Sequence, residues 1–131
     1  MQRRDIDPWG GWDQYASVPA VEVTNPTRML ICSGMCAPNE NGQSIVPPED
    51  VSGQISAALD KVEELLGAAD FTLADVVRMN IYTLDVDAVM QSSAHVDRLR
   101  AAGVTVPGTL VGVTRLGLPG LVVEIEVTAM K

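Results

Sequence analysis

The stretch "LVVEIEV" near the end of the chain alternates without a break. Val123, Ile125 and Val127 fall on one side of a strand, and Val122, Glu124, Glu126 and Thr128 on the other. "VVRMNIYT" behaves the same way, with Val77, Met79 and Ile81 against Arg78, Asn80 and Tyr82. Strands with one apolar and one polar face call for a sheet that is covered on a single side.

The cover is legible as two helical stripes. Val51, Ile55, Ala58, Leu59, Val62, Leu65 and Leu66 repeat at helical spacing. Glu49 and Asp50 suit the start of that helix, Gly53 weakens its first turn a little, and Gly67 fits just past its end. "DVDAVMQSSAHVDRLRAAG" reads as a second helix that turns Val86, Val89, Ser93, Val96 and Leu99 or Arg100 inward and stops at Gly103. "TLAD" can cap a short turn before the third strand. Upstream, "YASVPAVEV" and "RMLICSG" read as strands joined by a turn at residues 25–27, and Asn41-Gly42 as a turn in a loop. The last strands run from roughly 109–116 and 121–129. The order is β-β-α-β-α-β-β. Covering one face leaves Arg78, Asn80, Tyr82, Glu124 and Glu126 on the other, and self-association is the economical way to cover that second face.

A chain of 131 residues is expected to form one domain, residues 1–131. Its formal charge of −8 disfavours nucleic acid and anionic membrane surfaces as partners. No apolar run approaches the ~18 residues of a membrane span, and "MQRRDIDPWGGWDQ" lacks the apolar core of a signal peptide. The expected location is cytoplasmic. Cys32 and Cys36 then read as free thiols. Their spacing and the single remote His95 make a metal site unexpected. His95 itself reads as an exposed or capping residue.

In order along the chain, "YASVPAVEV", "LICSGM", "ALDKVEELLGAADFTLADVVRMNIYTLDVD" and "TLVGVTRLGLPGLVVEIEV" resemble the Rid (reactive intermediate deaminase, YjgF-type) family over nearly the whole length. The last piece is similar to that family's closing hairpin. The resemblance implies an α+β fold like that of small chorismate mutases: a mixed six-stranded sheet with two helices packed on one face. It also implies a homotrimer with three clefts between subunits. The implied activity is hydrolysis of small imines and enamines to a ketoacid and ammonia, with no metal or organic cofactor.

By the same resemblance, Glu124 positions water or a proton as the catalytic group. Tyr15 closes the cleft, with packing on a strand as its other reading. Ser33, Gly34 and Met35 stand where the family has Ser-Gly-Gln, and Ser93 where it has asparagine. Gly108, Thr109 and Leu110 occupy the segment that normally carries the arginine clamp for the substrate carboxylate. Neither Gly108 nor Thr109 supplies a guanidinium, so the family's binding of a carboxylate is not available at that place. Arg115 is either a substitute anion clamp or part of an internal salt bridge; Arg78 has the same two readings, and Glu126 reads as a structural partner of one of them.

Imine hydrolysis needs water delivered to an electrophilic carbon and a proton relayed to nitrogen, and one carboxylate can do both. The expected function is therefore a deaminase-like homotrimer that hydrolyses or isomerises a small imine or enamine, with a pocket more apolar and less anion-selective than usual for the family. A non-catalytic trimer that binds a metabolite or partner protein in the same clefts is the alternative. A ribonuclease activity, attributed to some members of the family, fits poorly with the negative charge.

Overall fold

The computed structural model describes residues 1–36 and 46–131, so the turn expected at Asn41-Gly42 lies outside the described residues. Six strands and three α-helices follow in the order β1 (Gln2–Ile6), β2 (Ala20–Thr24), β3 (Met29–Ile31), α1 (Val51–Ala68), β4 (Val76–Thr83), α2 (Val86–Gln91), α3 (Ala94–Ala101), β5 (Leu110–Gly112) and β6 (Val123–Met130). Short 3-10 helices cover Asp13–Tyr15 and Leu73–Asp75.

The α+β class is the expected one, with six strands divided between two sheets. One holds β1 and β2 antiparallel; the other runs β3-β6-β4-β5. The first residues, expected as an arm, supply β1 and so take the partner role expected for β3. Asn25, at φ 54, redirects the chain after β2. The N–H groups of Thr27 and Arg28 then both donate to the carbonyl of Lys131 at 2.8 Å, which starts β3 along β6. No hairpin joins β5 to β6, because β4 stands between them: it pairs in parallel with β5 and antiparallel with β6. The strand expected over 109–116 keeps only three residues.

The long strands have the two unlike faces that their alternation predicts. Val123, Ile125, Val127 and Ala129 of β6 and Met79 and Ile81 of β4 point into the core; Val76 takes the place there expected for Val77, because the register shifts between Val76 and Arg78. Helix α1 packs on β6 and on α3. Its Ile55, Ala58, Leu59, Val62 and Leu66 are fully buried, and each larger side chain contributes about 2 kcal/mol by leaving water. Gln54 is buried too, which the apolar stripe does not predict. Its amide donates to the carbonyls of Val46 (3.1 Å) and Gly120 (2.8 Å) and accepts from the Val122 N–H (2.9 Å). One side chain thus ties the start of α1 to the chain entering β6.

Asp50 caps α1 by accepting from the Gly53 N–H at 2.9 Å. Gly67 lies inside the helix, and the left-handed residue beyond its end is Asp70, at φ 63. "TLAD" forms the expected capping box, with Asp75 accepting from the Thr72 N–H at 2.8 Å. The expected second helix is two helices. The break falls at Ser92, whose extended backbone (ψ 138) ends α2, and Ser93 then caps α3. Ser93 is exposed there, not inward, and donates to Asp97 at 2.8 Å. Val86 is exposed as well, while Val89, Val96 and Leu99 face the core as expected.

Candidate functional site

The uncovered face of the four-stranded sheet carries Arg78, Asn80 and Tyr82 from β4 beside Glu124, Glu126 and Thr128 from β6. Tyr82 lies directly across from Glu124, and Asn80 across from Glu126. The Tyr82 hydroxyl nevertheless reaches diagonally and donates to Oε1 of Glu126 at 2.6 Å. The Asn80 amide donates to the same oxygen at 3.1 Å. These bonds favour the ionised form, so Glu126 is held below the ordinary carboxylate range, with a smaller contribution from the nearby Arg78. The same bond, with burial, pushes the Tyr82 phenol up from its ordinary value.

Glu124 is in a different position. Among the described residues nothing donates a hydrogen bond to its carboxylate and no cation pairs with it. Its carboxylate rests on Gly34: a Cβ on that glycine would meet Oε1 at 2.0 Å. Met35 holds the adjoining chain in place by exchanging backbone hydrogen bonds with Ile125, at 2.6 and 3.0 Å. Cys36, half-buried, completes the surroundings. Burial raises its thiol pKa, and the Glu124 charge raises it further, so Cys36 stays protonated near neutral pH. Gly34, Met35 and Glu124 therefore lie together, with Ser33 next to Gly34 in the chain, and Cys36 joins them unannounced.

The remaining expected residues lie elsewhere. A cavity of about 460 Å³ is lined by Tyr15, Ser93, Gly108, Thr109 and Leu110 together with Trp12, Met79, Met90, His95 and Arg100. Glu124 is not among its lining residues. Tyr15 belongs to the first 3-10 helix rather than to a strand, and its ring is 46 % exposed. Gly108 packs directly on β4, where a Cβ would meet the Met79 carbonyl oxygen at 1.6 Å. The approach lets β4 take bonds from the segment's backbone: Met79 N–H donates to Pro107 O (3.1 Å) and Ile81 N–H to Thr109 O (3.0 Å). Glycine at 108 thus has a packing reason independent of any ligand.

His95, expected to be exposed or capping, lies on the cavity wall near the start of α3. Its Nδ1 is buried with no hydrogen-bond partner among the described residues. Arg115 meets neither group; it lines a separate hollow of about 220 Å³ with Leu84, Leu116 and Leu118. A backbone N–H ties the cavity rim to the open sheet face. The Thr109 N–H, at the cavity rim, donates to Oδ1 of Asn80 on the sheet face at 3.0 Å.

A small α+β protein with a one-sided sheet, an unpaired carboxylate on its open face and a neighbouring cavity has the form of the YjgF-type fold. The family model described as Endoribonuclease L-PSP matches residues 13–131, and the chain belongs to this family, the Rid or YjgF family. A protein of unknown function of the conserved Rid family, YyfB from Yersinia pestis, is similar at 30 % identity and TM-score 0.86, with full coverage of both chains. Rv2704 of Mycobacterium tuberculosis, from the YjgF/YER057c/UK114 family, is similar at 27 % identity and TM-score 0.59, with 99 % of this chain and 100 % of that one covered. The YjgF gene product of Escherichia coli is 28 % identical over 87 % of each chain, with a TM-score of 0.61. No curated protein matches the chain. Family membership supports a protein that processes or binds small molecules. Among the described residues no helix is long and apolar enough to cross a membrane.

Proposed function

We propose that the protein is a cofactor-independent imine or enamine hydrolase with Glu124 as its acid/base. The observation that carries this reading is the contrast between two neighbouring carboxylates. Glu126 is engaged by Tyr82 and Asn80, whereas Glu124 is unpaired among the described residues and seated on Gly34. In the reaction Glu124 takes a proton from water as its oxygen adds to the imine carbon. It then delivers that proton to nitrogen. The carbinolamine collapses to a carbonyl compound as ammonia leaves. An enamine first takes a proton at carbon and gives up one from nitrogen to become the imine. Within one protomer Glu124 and the Tyr15 cavity belong to separate groups, so the working site is assigned to the clefts of a homotrimer, where the cavity side of one subunit meets the sheet face of the next. The cell compartment is proposed to be the cytoplasm.

Turnover of a panel of neutral and carboxylated imines by wild type and Glu124→Gln tests the chemistry. Equal rates in both proteins would remove Glu124 from the mechanism. A solution mass near that of one chain would remove the trimer.

A second reading follows from Gly108 and Thr109, which stand where the family's clamp arginine would be. On that reading the same clefts hold a metabolite or partner protein without chemistry. A ligand recovered unchanged after long incubation, with no ammonia released, would favour it.

A further inference from the structure

The chain has 17 Asp and Glu residues against 9 Lys and Arg, yet among the described residues no carboxylate lines the 460 Å³ cavity. Arg100 does line it. Its Nη2 donates to the carbonyls of Asp13 (3.0 Å) and Gln14 (3.4 Å), which fixes the guanidinium beside Tyr15 and leaves Nε and Nη1 to spare. Among the described residues no acid pairs with it. The contrast with Arg98, two residues earlier on α3, is direct: Arg98 is neutralised by Asp60 and Glu63. His95 adds little charge to the wall, because burial pushes its pKa below the ordinary 6.5 against a smaller upward pull from Asp97. The apolar part of the lining includes Trp12, Tyr15, Met79, Met90 and Leu110, and the polar remainder, such as Gln14, Gln91 and Ser92, is neutral. A space of this size falls within the ~300–1,000 Å³ of small-molecule pockets. An anchored, unpaired guanidinium beside apolar walls suits an anion with a hydrophobic body.

We infer that this cavity reads a monocarboxylate with an aromatic-sized apolar body. Arg100 binds the carboxylate, from a place in the fold different from Gly108 and Thr109. This deepens the hydrolase reading and rests on it only in calling the ligand a substrate; the binding itself does not depend on Glu124.

Calorimetric titration of the full chain with 3-phenylpropionate, 3-phenylpropionamide and acetate tests it without any turnover. Wild type is expected to bind 3-phenylpropionate at least ~10-fold more tightly than either other probe, as a charge-assisted pair predicts. Arg100→Gln is expected to erase the preference over the amide, Arg100→Lys to keep part of it, and Arg115→Gln to leave it intact. Equal binding of acid and amide by wild type, or a preference that survives Arg100→Gln, overturns the inference. If Arg100→Gln fails to fold, the wild-type comparison and Arg100→Lys still decide. Should the preference hold while neither wild type nor Glu124→Gln releases ammonia from imines, the hydrolase reading falls and this one stands.

Discussion

A Cβ built on Gly34 would stand 2.0 Å from Oε1 of Glu124, closer than any real contact. The glycine is the floor on which the candidate catalytic carboxylate rests. Gly34→Ala must therefore displace Glu124 while leaving its charge in place. A misplacement of about 1 Å costs on the order of 100-fold in rate where a reacting group is concerned. Gly34→Ala is expected to lose about that much kcat/KM with little change in Tm. Wild-type turnover in a folded Gly34→Ala protein would show that this carboxylate has no positional task.

Tyr82→Phe removes one of two donors to Glu126. The folded Glu126 carboxyl lies below its ordinary 4.5, so its contribution to stability is present above that value and fades as pH falls through the lower folded value. Tyr82 has the opposite sense: its raised pKa stabilises below the ordinary 10.0 and is lost as pH climbs through the folded value. Thermal melts across pH should show both limbs in wild type. The phenylalanine variant should lose the alkaline limb and flatten the acid one. Identical profiles would mean that the Tyr82–Glu126 bond is absent in solution.

Gly53 looks like a flaw in the first turn of α1, and replacement by alanine should on propensity alone gain up to ~1 kcal/mol. The cap reverses the sign. A Cβ at 53 would lie 2.2 Å from Oδ2 of Asp50 and 2.9 Å from Cγ1 of Val46. Losing a cap costs about 1 kcal/mol, and the steric clash adds to it. Gly53→Ala is expected to lower the urea midpoint; a raised midpoint would show that Asp50 does not cap this helix.

Gln54→Leu would remove a bond to Val46 and leave the carbonyl of Gly120 and the N–H of Val122 without their side-chain partner. Each orphaned group costs roughly 1–3 kcal/mol where water cannot reach it. A loss of about 3 kcal/mol in urea unfolding is expected, and a change under about 0.5 kcal/mol would mean that water replaces the amide.

The sequence shows which side each residue of a strand occupies more readily than it shows the strand's neighbour. Alternation in "VVRMNIYT" and "VVEIEV" places Glu124, Glu126, Asn80 and Tyr82 on one face, and the structure keeps them there. Alternation is local, whereas pairing is not. Nothing in "YASVPAVEV" announces that Arg3 and its strand will be its partner, or that residues 27–31 will run along the far end of β6. The same limit applies to the site. Glu124 and Gly34 are individually recognisable by family resemblance, but the diagonal bond by which Tyr82 engages Glu126 and not Glu124 depends on a cross-strand register that no single segment encodes. Arg100 reads as an ordinary residue in the last turn of a helix until the arm between β1 and β2 folds beneath it.

The four-stranded sheet begins and ends on strands of three residues, β3 and β5, with the eight-residue strands both inside. A long bare edge is a template on which further chains can stack without limit. Here each edge offers too few hydrogen-bonding groups for that, while a whole face of the same sheet stays uncovered. Growth by edge addition into fibres is thereby discouraged, and association is steered towards contacts between faces. In the proposed trimer such contacts close on themselves. The brevity of two strands would then separate that assembly from aggregation.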